Sequence, residues 1–205
     1  MLMYMKLSRK EKSEITKERL YRSAIYVTGR YGFEKASVAR IAGRAKIAIG
    51  TFYNYYATRE ALLTEVVLKL GQELRQSISV VVPNGAGFFL REKVSFQQYF
   101  RFLRKNPYYI KLLNEAEIFL PEAYRHLSVN ILDGYRRVLQ QASDAGEIRR
   151  INGLEIDGVA LMLMAARHYY GQYFLHLCDE NGEIPDEIIE IYLSFIHVGL
   201  DARMQ

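Results

Sequence analysis

Residues 37–56 read SVARIAGRAKIAIGTFYNYY, and this stretch decides how the chain is understood. Ser37 is a residue type that caps a helix, and VARIAGRA after it sets Ile41, Ala42 and Ala45 at helical spacing. A break at Lys46-Ile47 separates this short helix from a second one, roughly 48–56. The expected buried set is Ile41, Ala42, Ala45, Ile47 and Phe52. Small residues at 42 and 45 let two helices cross closely, as a helix-turn-helix requires. The second helix then carries Thr51, Tyr53, Asn54, Tyr55 and Tyr56 outward. Hydroxyls and an amide suit phosphate oxygens and base edges. Arg40 and Arg44 precede that helix and Arg59 follows it, placed to neutralise phosphates beside a major groove. Without DNA, the same pattern describes a three-helix packing unit around an aromatic core.

Flanking segments are helical too. Ile15, Leu20, Ala24, Ile25 and Val27 form one stripe that ends at Tyr31-Gly32-Phe33, where Gly32 closes the helix with a left-handed residue. Thr58 starts a longer helix running to about Leu74, and ISVVVP at 78–83 is a frayed helix end entering a loop. Helices are expected over 91–105, 107–119, 121–145, 153–178 and 185–203, with Pro121 in a first turn, Gly146 as a stop and ENGEIP as the last turn. The fold class is all-α, with about nine helices.

The chain has 28 Lys plus Arg against 23 Asp plus Glu. Residues 1–60 carry 13 basic and 5 acidic side chains, so the positive charge is concentrated where the helix-turn-helix lies. That asymmetry points to a polyanionic partner for the first part. Lys6, Arg9, Lys10, Lys12, Lys17 and Arg19 form either an arm along the duplex or a solubilising tail. Half the residues are hydrophobic, which excludes wholesale disorder. One cysteine, Cys178, excludes an intramolecular disulfide framework. The apolar run 158–166 is far short of the roughly 18 residues of a membrane span, and no export signal is visible, so a cytoplasmic chain is expected.

The segment LYRSAIYVTGRYGFEKASVARIAGRAKIAIGTFYNYYATREALL, residues 20–63, resembles the DNA-binding domain of the TetR family of transcriptional regulators. The resemblance is carried by Gly32-Phe33, by Ser37 to Ala42, by Gly50-Thr-Phe-Tyr53, by Tyr56 and by Arg59-Glu-Ala-Leu62. It implies that Ser37, Arg40 and Arg44 approach the DNA backbone and that Thr51 and Tyr53 contact phosphate. Asn54 and Tyr55 would then sit nearest the bases, with Arg59 touching phosphate at the start of the fourth helix. Three positions depart from the family pattern: Lys46 stands in the turn where Gly is usual, Ala48 replaces a capping Ser, and Ile49 replaces a Lys. Lys at positive φ is costlier than Gly, and Ile49 offers an apolar contact suited to a thymine methyl. The domains implied are 1–57, a head with the basic N-terminal arm, and 58–205, for ligand binding and dimerisation.

The second part is rich in aromatics, with tyrosine outnumbering phenylalanine 16 to 10 across the chain. A stripe of aromatics at helical spacing is ordinarily core, yet hydroxyls need partners that a polar-lined cavity supplies. The cavity expected on that basis is lined by Phe100, Arg104, Tyr108, Leu112, Glu115, Phe119, Tyr135, Met162, His168 and Tyr169. His168 and His176 share a helix face, but no carboxylate or Cys lies four residues from His168, so no metal is expected. No cofactor motif and no nucleophile–base constellation appears. The last two helices are apolar on broad faces, and Leu161, Ile189, Tyr192 and Ile196 are the expected interface of a homodimer; the resemblance implies a four-helix bundle there. The reading is a DNA-binding regulator, a repressor, released from a palindromic operator by a small apolar or aromatic effector. Its rivals are a helical-bundle enzyme and a non-specific architectural DNA binder.

Overall fold

The computed structural model describes residues 8–176 and 184–202. Lys6, Cys178, the His176 side chain and most of the 180–185 turn lie outside the described residues. Among the described residues there are nine helices and no strand: α1 (Arg9–Tyr31), α2 (Val38–Ala45), α3 (Ile49–Tyr53), α4 (Arg59–Val81), α5 (Phe88–Lys105), α6 (Tyr109–Phe119), α7 (Pro121–Asp144), α8 (Gly153–His176) and α9 (Asp186–Leu200). The all-α class is therefore as expected.

Local chemistry sets the helix ends. Ser8 and Glu11 form a reciprocal capping box, so α1 begins at Arg9. Arg9, Lys10, Lys12, Lys17 and Arg19 are consequently helical residues of α1, neither arm nor tail. The expected apolar stripe of α1 holds at Leu20, Ala24 and Val27, whereas Ile15 is exposed. Gly32 ends α1 at φ 84 but ψ 163, a positive-φ turn that is extended rather than left-handed helical. Thr58 Oγ1 accepts the Ala61 N–H at the start of α4. That helix runs past Leu74 to Val81, taking in most of the stretch expected to be a frayed end, since nothing breaks it before Pro83.

The chain divides into two compact units. Unit 1 holds the chain up to Lys69 together with Lys111–Tyr124, and unit 2 holds Leu70–Ile110 together with the chain from Arg125. The expected division at 57/58 differs from this one, because the first turns of α4 and most of α6 pack with the head. Unit 1 buries Leu20, Tyr21 and Ala24 of α1, Ile41 and Ala42 of α2, and Phe52 of α3. Leu62 and Val66 of α4 and Leu112 and Ala116 of α6 complete that core. Lys69 closes its edge with an ion pair to Glu18 at 2.9 Å and lies 3.9 Å from the Tyr21 ring centroid.

Unit 2 is a helical bundle whose centre is aromatic. Phe96 of α5 stacks on Tyr192 of α9 at 4.1 Å, and Phe102 meets Tyr109 edge-on at 5.4 Å. Leu139 of α7 and Ala160 and Leu163 of α8 are buried with them. Two long-range bonds fasten the ends of helices: the Arg149 N–H donates to the Leu200 carbonyl, and the Phe88 N–H donates to Glu147.

Both substitutions in the α2–α3 turn have visible consequences. Lys46 sits at φ 54, ψ 47, and no other non-glycine among the described residues has a positive φ. Ala48 begins α3 without a side-chain cap. The left-handed conformation costs an L-residue roughly 1–2 kcal/mol, and a missing Ser cap about 0.5–2 kcal/mol. Lys46→Gly and Ala48→Ser should each raise stability by about 1 kcal/mol, and thermal unfolding should register each as a rise of about 2–4 °C in a chain of this size. A lowered Tm in Lys46→Gly would show that the lysine side chain outweighs the backbone strain.

Candidate nucleic-acid interface

The α2–α3 unit is built as the sequence suggests, with two adjustments. Ser37 Oγ accepts the Arg40 N–H, and Ile41, Ala42, Ala45 and Phe52 are buried. Ile47, expected in the buried set, is only half-buried, because α2 has already turned at Lys46. Tyr56, expected on the outer surface, is 6% exposed and donates its hydroxyl to Glu65 at 3.1 Å. Its ring packs against Phe52, so it belongs to the core of the head. Burial first, and the Glu65 carboxylate second, push the Tyr56 phenol above its ordinary pKa.

What remains outward is compact. Ile49, Tyr53 and Asn54 are exposed, and Thr51 and Tyr55 are half-buried. Tyr53 lies edge-on to Phe52 at 5.4 Å and is 54% exposed. On α2, Ser37, Arg40 and Arg44 are exposed. The Arg44 guanidinium lies 3.3 Å from the Tyr26 ring centroid and that of Arg40 lies 5.0 Å from Tyr31. Both tyrosines belong to α1, so cation–π contact holds the arginines in place without neutralising them.

Two other basic residues have structural work that sequence alone does not reveal. Arg19 donates to the Ala45 carbonyl and, at 3.3 Å, to that of Lys46, closing the C-terminus of α2 from α1. Arg59 donates to the Phe33 carbonyl at 3.2 Å and pairs with Glu60 at 2.8 Å. Its guanidinium is thus tied to the α1–α2 corner. Of the three pocket candidates on α6, Glu115 accepts the Phe33 N–H at 2.6 Å and Phe119 stacks on Phe33 at 5.8 Å, while Leu112 is core. All three belong to unit 1.

The other pocket candidates lie in unit 2 and do not line one cavity there. Phe100 is buried against Phe96, Tyr108 and His168 are half-buried, and Arg104 is exposed. Met162 and Tyr169 are 62% and 70% exposed, on the outer side of α8 rather than in an enclosed wall. Tyr135 is half-buried with a buried hydroxyl. An open depression of about 650 Å³ lies elsewhere on unit 2, along Arg136, Gln140, Gly153 and Asp157. There Arg136 is bidentate to Asp157 at 2.6 and 2.8 Å, which holds the Asp157 carboxyl below its usual range.

The interface candidates also need correction. Leu161 is exposed as expected, but Ile189, Tyr192 and Ile196 are buried within the protomer. The final helix is apolar on two sides, and periodicity cannot tell which side the bundle takes. Its free apolar side carries Ile191, Phe195 and Val198.

Residues 20–66 match the model of the bacterial regulatory proteins of the tetR family. The head of this chain is similar to the domain that this model describes. No curated protein matches the chain. Among solved structures, the fatty acid degradation regulator FadR of Bacillus halodurans superposes with a TM-score of 0.74 at 15% identity, covering 94% of this chain and 96% of that one. A TetR family transcription regulator of Marinobacter aquaeolei gives 0.72 at 15%, covering 93% and 98%. A protein of Clostridium perfringens, named as a candidate fatty acid metabolism regulator, gives 0.71 at 20%, covering 88% and 97%. At these identities the likeness is one of fold, and it extends over most of the chain, beyond the matched residues. No described helix is long and apolar enough to cross a membrane.

Because Arg59 anchors the corner of the tetR-type head, its loss should be felt without DNA. Arg59→Gln should lower the stability of the free protein by about 1 kcal/mol, measured by urea unfolding, besides any effect on DNA. Unchanged stability would leave Arg59 available to phosphate alone.

Proposed function

We propose that this protein is a transcriptional repressor that binds a palindromic DNA operator as a homodimer and leaves it when a small, largely apolar effector binds. The observation that carries the reading is the exposed Ile49, Tyr53 and Asn54 surface of α3, flanked by Arg40 and Arg44 on their tyrosine supports. Thr51 and Tyr53 then contact phosphate, Asn54 and Tyr55 read base edges, and Ile49 meets an apolar edge such as a thymine methyl. Ser37 and the arginines fix the head on the backbone. The family match displaces a bundle enzyme as the alternative, and an architectural binder needs no second unit of this size.

A two-fold dimer places two copies of α3 about 34–36 Å apart, or a multiple, so that both reach the major groove. Leu161, Met162 and Tyr169 of α8 with Ile191, Phe195 and Val198 of α9 are the exposed apolar residues that support such an interface. Exposed apolar area on this scale on two adjacent elements in sequence is what a subunit interface requires. The effector belongs in unit 2, and α4, α6 and α7 are the helices whose residues are divided between the units, so they are the covalent routes by which occupancy reaches the head. The fold-level relatives named for fatty acid degradation and metabolism make an acyl or aromatic effector the first class to test.

The DNA reading is tested by titrating selected and random duplexes across a range of salt. A specificity ratio of roughly 10³ or more and a steep fall of affinity with salt are expected. Tyr53→Phe should weaken binding to all duplexes alike, and Asn54→Ala should change sequence preference by about 1–3 kcal/mol at one base pair. Equal affinity for every duplex would exclude an operator-specific regulator. For assembly, Ile191→Glu with Phe195→Glu should give a folded monomer in sedimentation, whereas Ile189→Glu should unfold unit 2 because that side chain is 3% exposed. A dimer that survives the double substitution would place the interface elsewhere.

A further inference from the structure

Unit 2 contains a cluster of polar side chains at its centre. Arg167 of α8 donates from Nη2 to Glu92 Oε1 at 2.6 Å and to Ser95 Oγ at 2.7 Å. Tyr192 donates its hydroxyl to the same Glu92 oxygen at 2.6 Å. Glu92, Ser95, Tyr192 and Arg167 are 4–9% exposed. Aromatic rings enclose the guanidinium, with the Phe96 centroid at 5.9 Å and that of Tyr135 at 5.4 Å. Two members of this neighbourhood are left over: Arg167 Nε and the Tyr135 hydroxyl are buried with no hydrogen-bond partner among the described residues.

A buried donor without a partner costs free energy, and native interiors retain few of them. Arg167 Nε–H can only donate, and the Tyr135 hydroxyl can donate as well, so one acceptor oxygen is the group that would serve both. Charge decides which oxygen. Glu92 already balances Arg167, and a carboxylate ligand would bring an uncompensated charge into this interior. A neutral carbonyl oxygen brings none. We propose that Arg167 Nε and the Tyr135 hydroxyl form a recognition site for the neutral carbonyl of a small, otherwise apolar molecule, with Phe96 and Tyr135 lying against its apolar part. Glu92, Ser95 and Tyr192 act as positioning residues that hold the guanidinium at this angle. The site deepens the effector reading and rests on it for its biological use.

The test compares three probes of one size on the full-length protein without DNA: acetophenone, ethylbenzene and benzoate. Binding is read by ligand-observed NMR titration, so a failure of operator recognition does not enter the result. Acetophenone should bind about tenfold more tightly than ethylbenzene or benzoate. Tyr135→Phe removes a hydroxyl that bonds to nothing among the described residues, so its Tm should equal or exceed that of the wild type. The same variant should bring acetophenone within about threefold of ethylbenzene while leaving ethylbenzene binding unchanged. Equal affinity for the three probes, or a preference for benzoate, would overturn the proposal. So would a Tyr135→Phe protein that keeps the wild-type preference, or one whose Tm falls by several degrees, since the hydroxyl would then serve the fold alone.

Discussion

The corner between α1 and α2 is closed by a carboxylate that comes from 82 residues away in sequence. Gly32 turns the chain at φ 84, and the Phe33 N–H behind it is taken by Glu115 of α6. The neighbouring Lys111 donates to the Gly29 carbonyl at 2.9 Å, one of the acceptors that a helix end leaves over. Phe119 then stacks on Phe33, so one helix supplies a donor, an acceptor and an apolar lid to the same corner. Arg59 adds a bond to the Phe33 carbonyl from α4. Everything that follows in the head, from the Ser37 cap to the outward face of α3, starts from a backbone direction fixed there.

The same economy of long-range bonds explains why so short a reading helix holds its shape. α3 has five residues and no side-chain cap, and helices of that length are unstable alone. It persists because Phe52 is fully buried and because Arg19 closes the preceding turn from α1. Arg40 and Arg44 lie against tyrosine faces of α1, contacts that leave their charge unneutralised.

Unit 2 follows a different logic. Its centre couples an ion pair to stacked aromatics, and Glu92 is the acceptor that both Arg167 and Tyr192 require. Removing one partner would leave a buried charge alone, so the four residues constrain the relative placement of α5, α8 and α9 more sharply than apolar packing would. Burial first works against the Arg167 charge, and the Glu92 carboxylate reverses that effect, holding the guanidinium protonated above its ordinary value. The outer sides of α8 and α9 carry the opposite character, with Met162, Tyr169 and Phe195 open to solvent.

Sequence by itself determined whatever is decided within a turn or two of the chain. The nine helices among the described residues, the Ser37 and Thr58 caps, the strained Lys46, the uncapped Ala48 and the apolar spacing that buries Ile41 and Phe52 all depend on neighbours a few residues apart. Tertiary structure alone decided which chemically able side chains were already engaged. Arg19 read as part of a basic arm or a solubilising tail until the Ala45 carbonyl took it, and Glu115 and Phe119 looked like pocket walls until Phe33 took both. Ile189, Tyr192 and Ile196 read as an interface because α9 is apolar on two sides, and only its contacts show that this side is the interior. The Glu92–Arg167 pair was invisible for the same reason: 75 residues separate its members, and no local pattern records a hydrogen bond made across that distance.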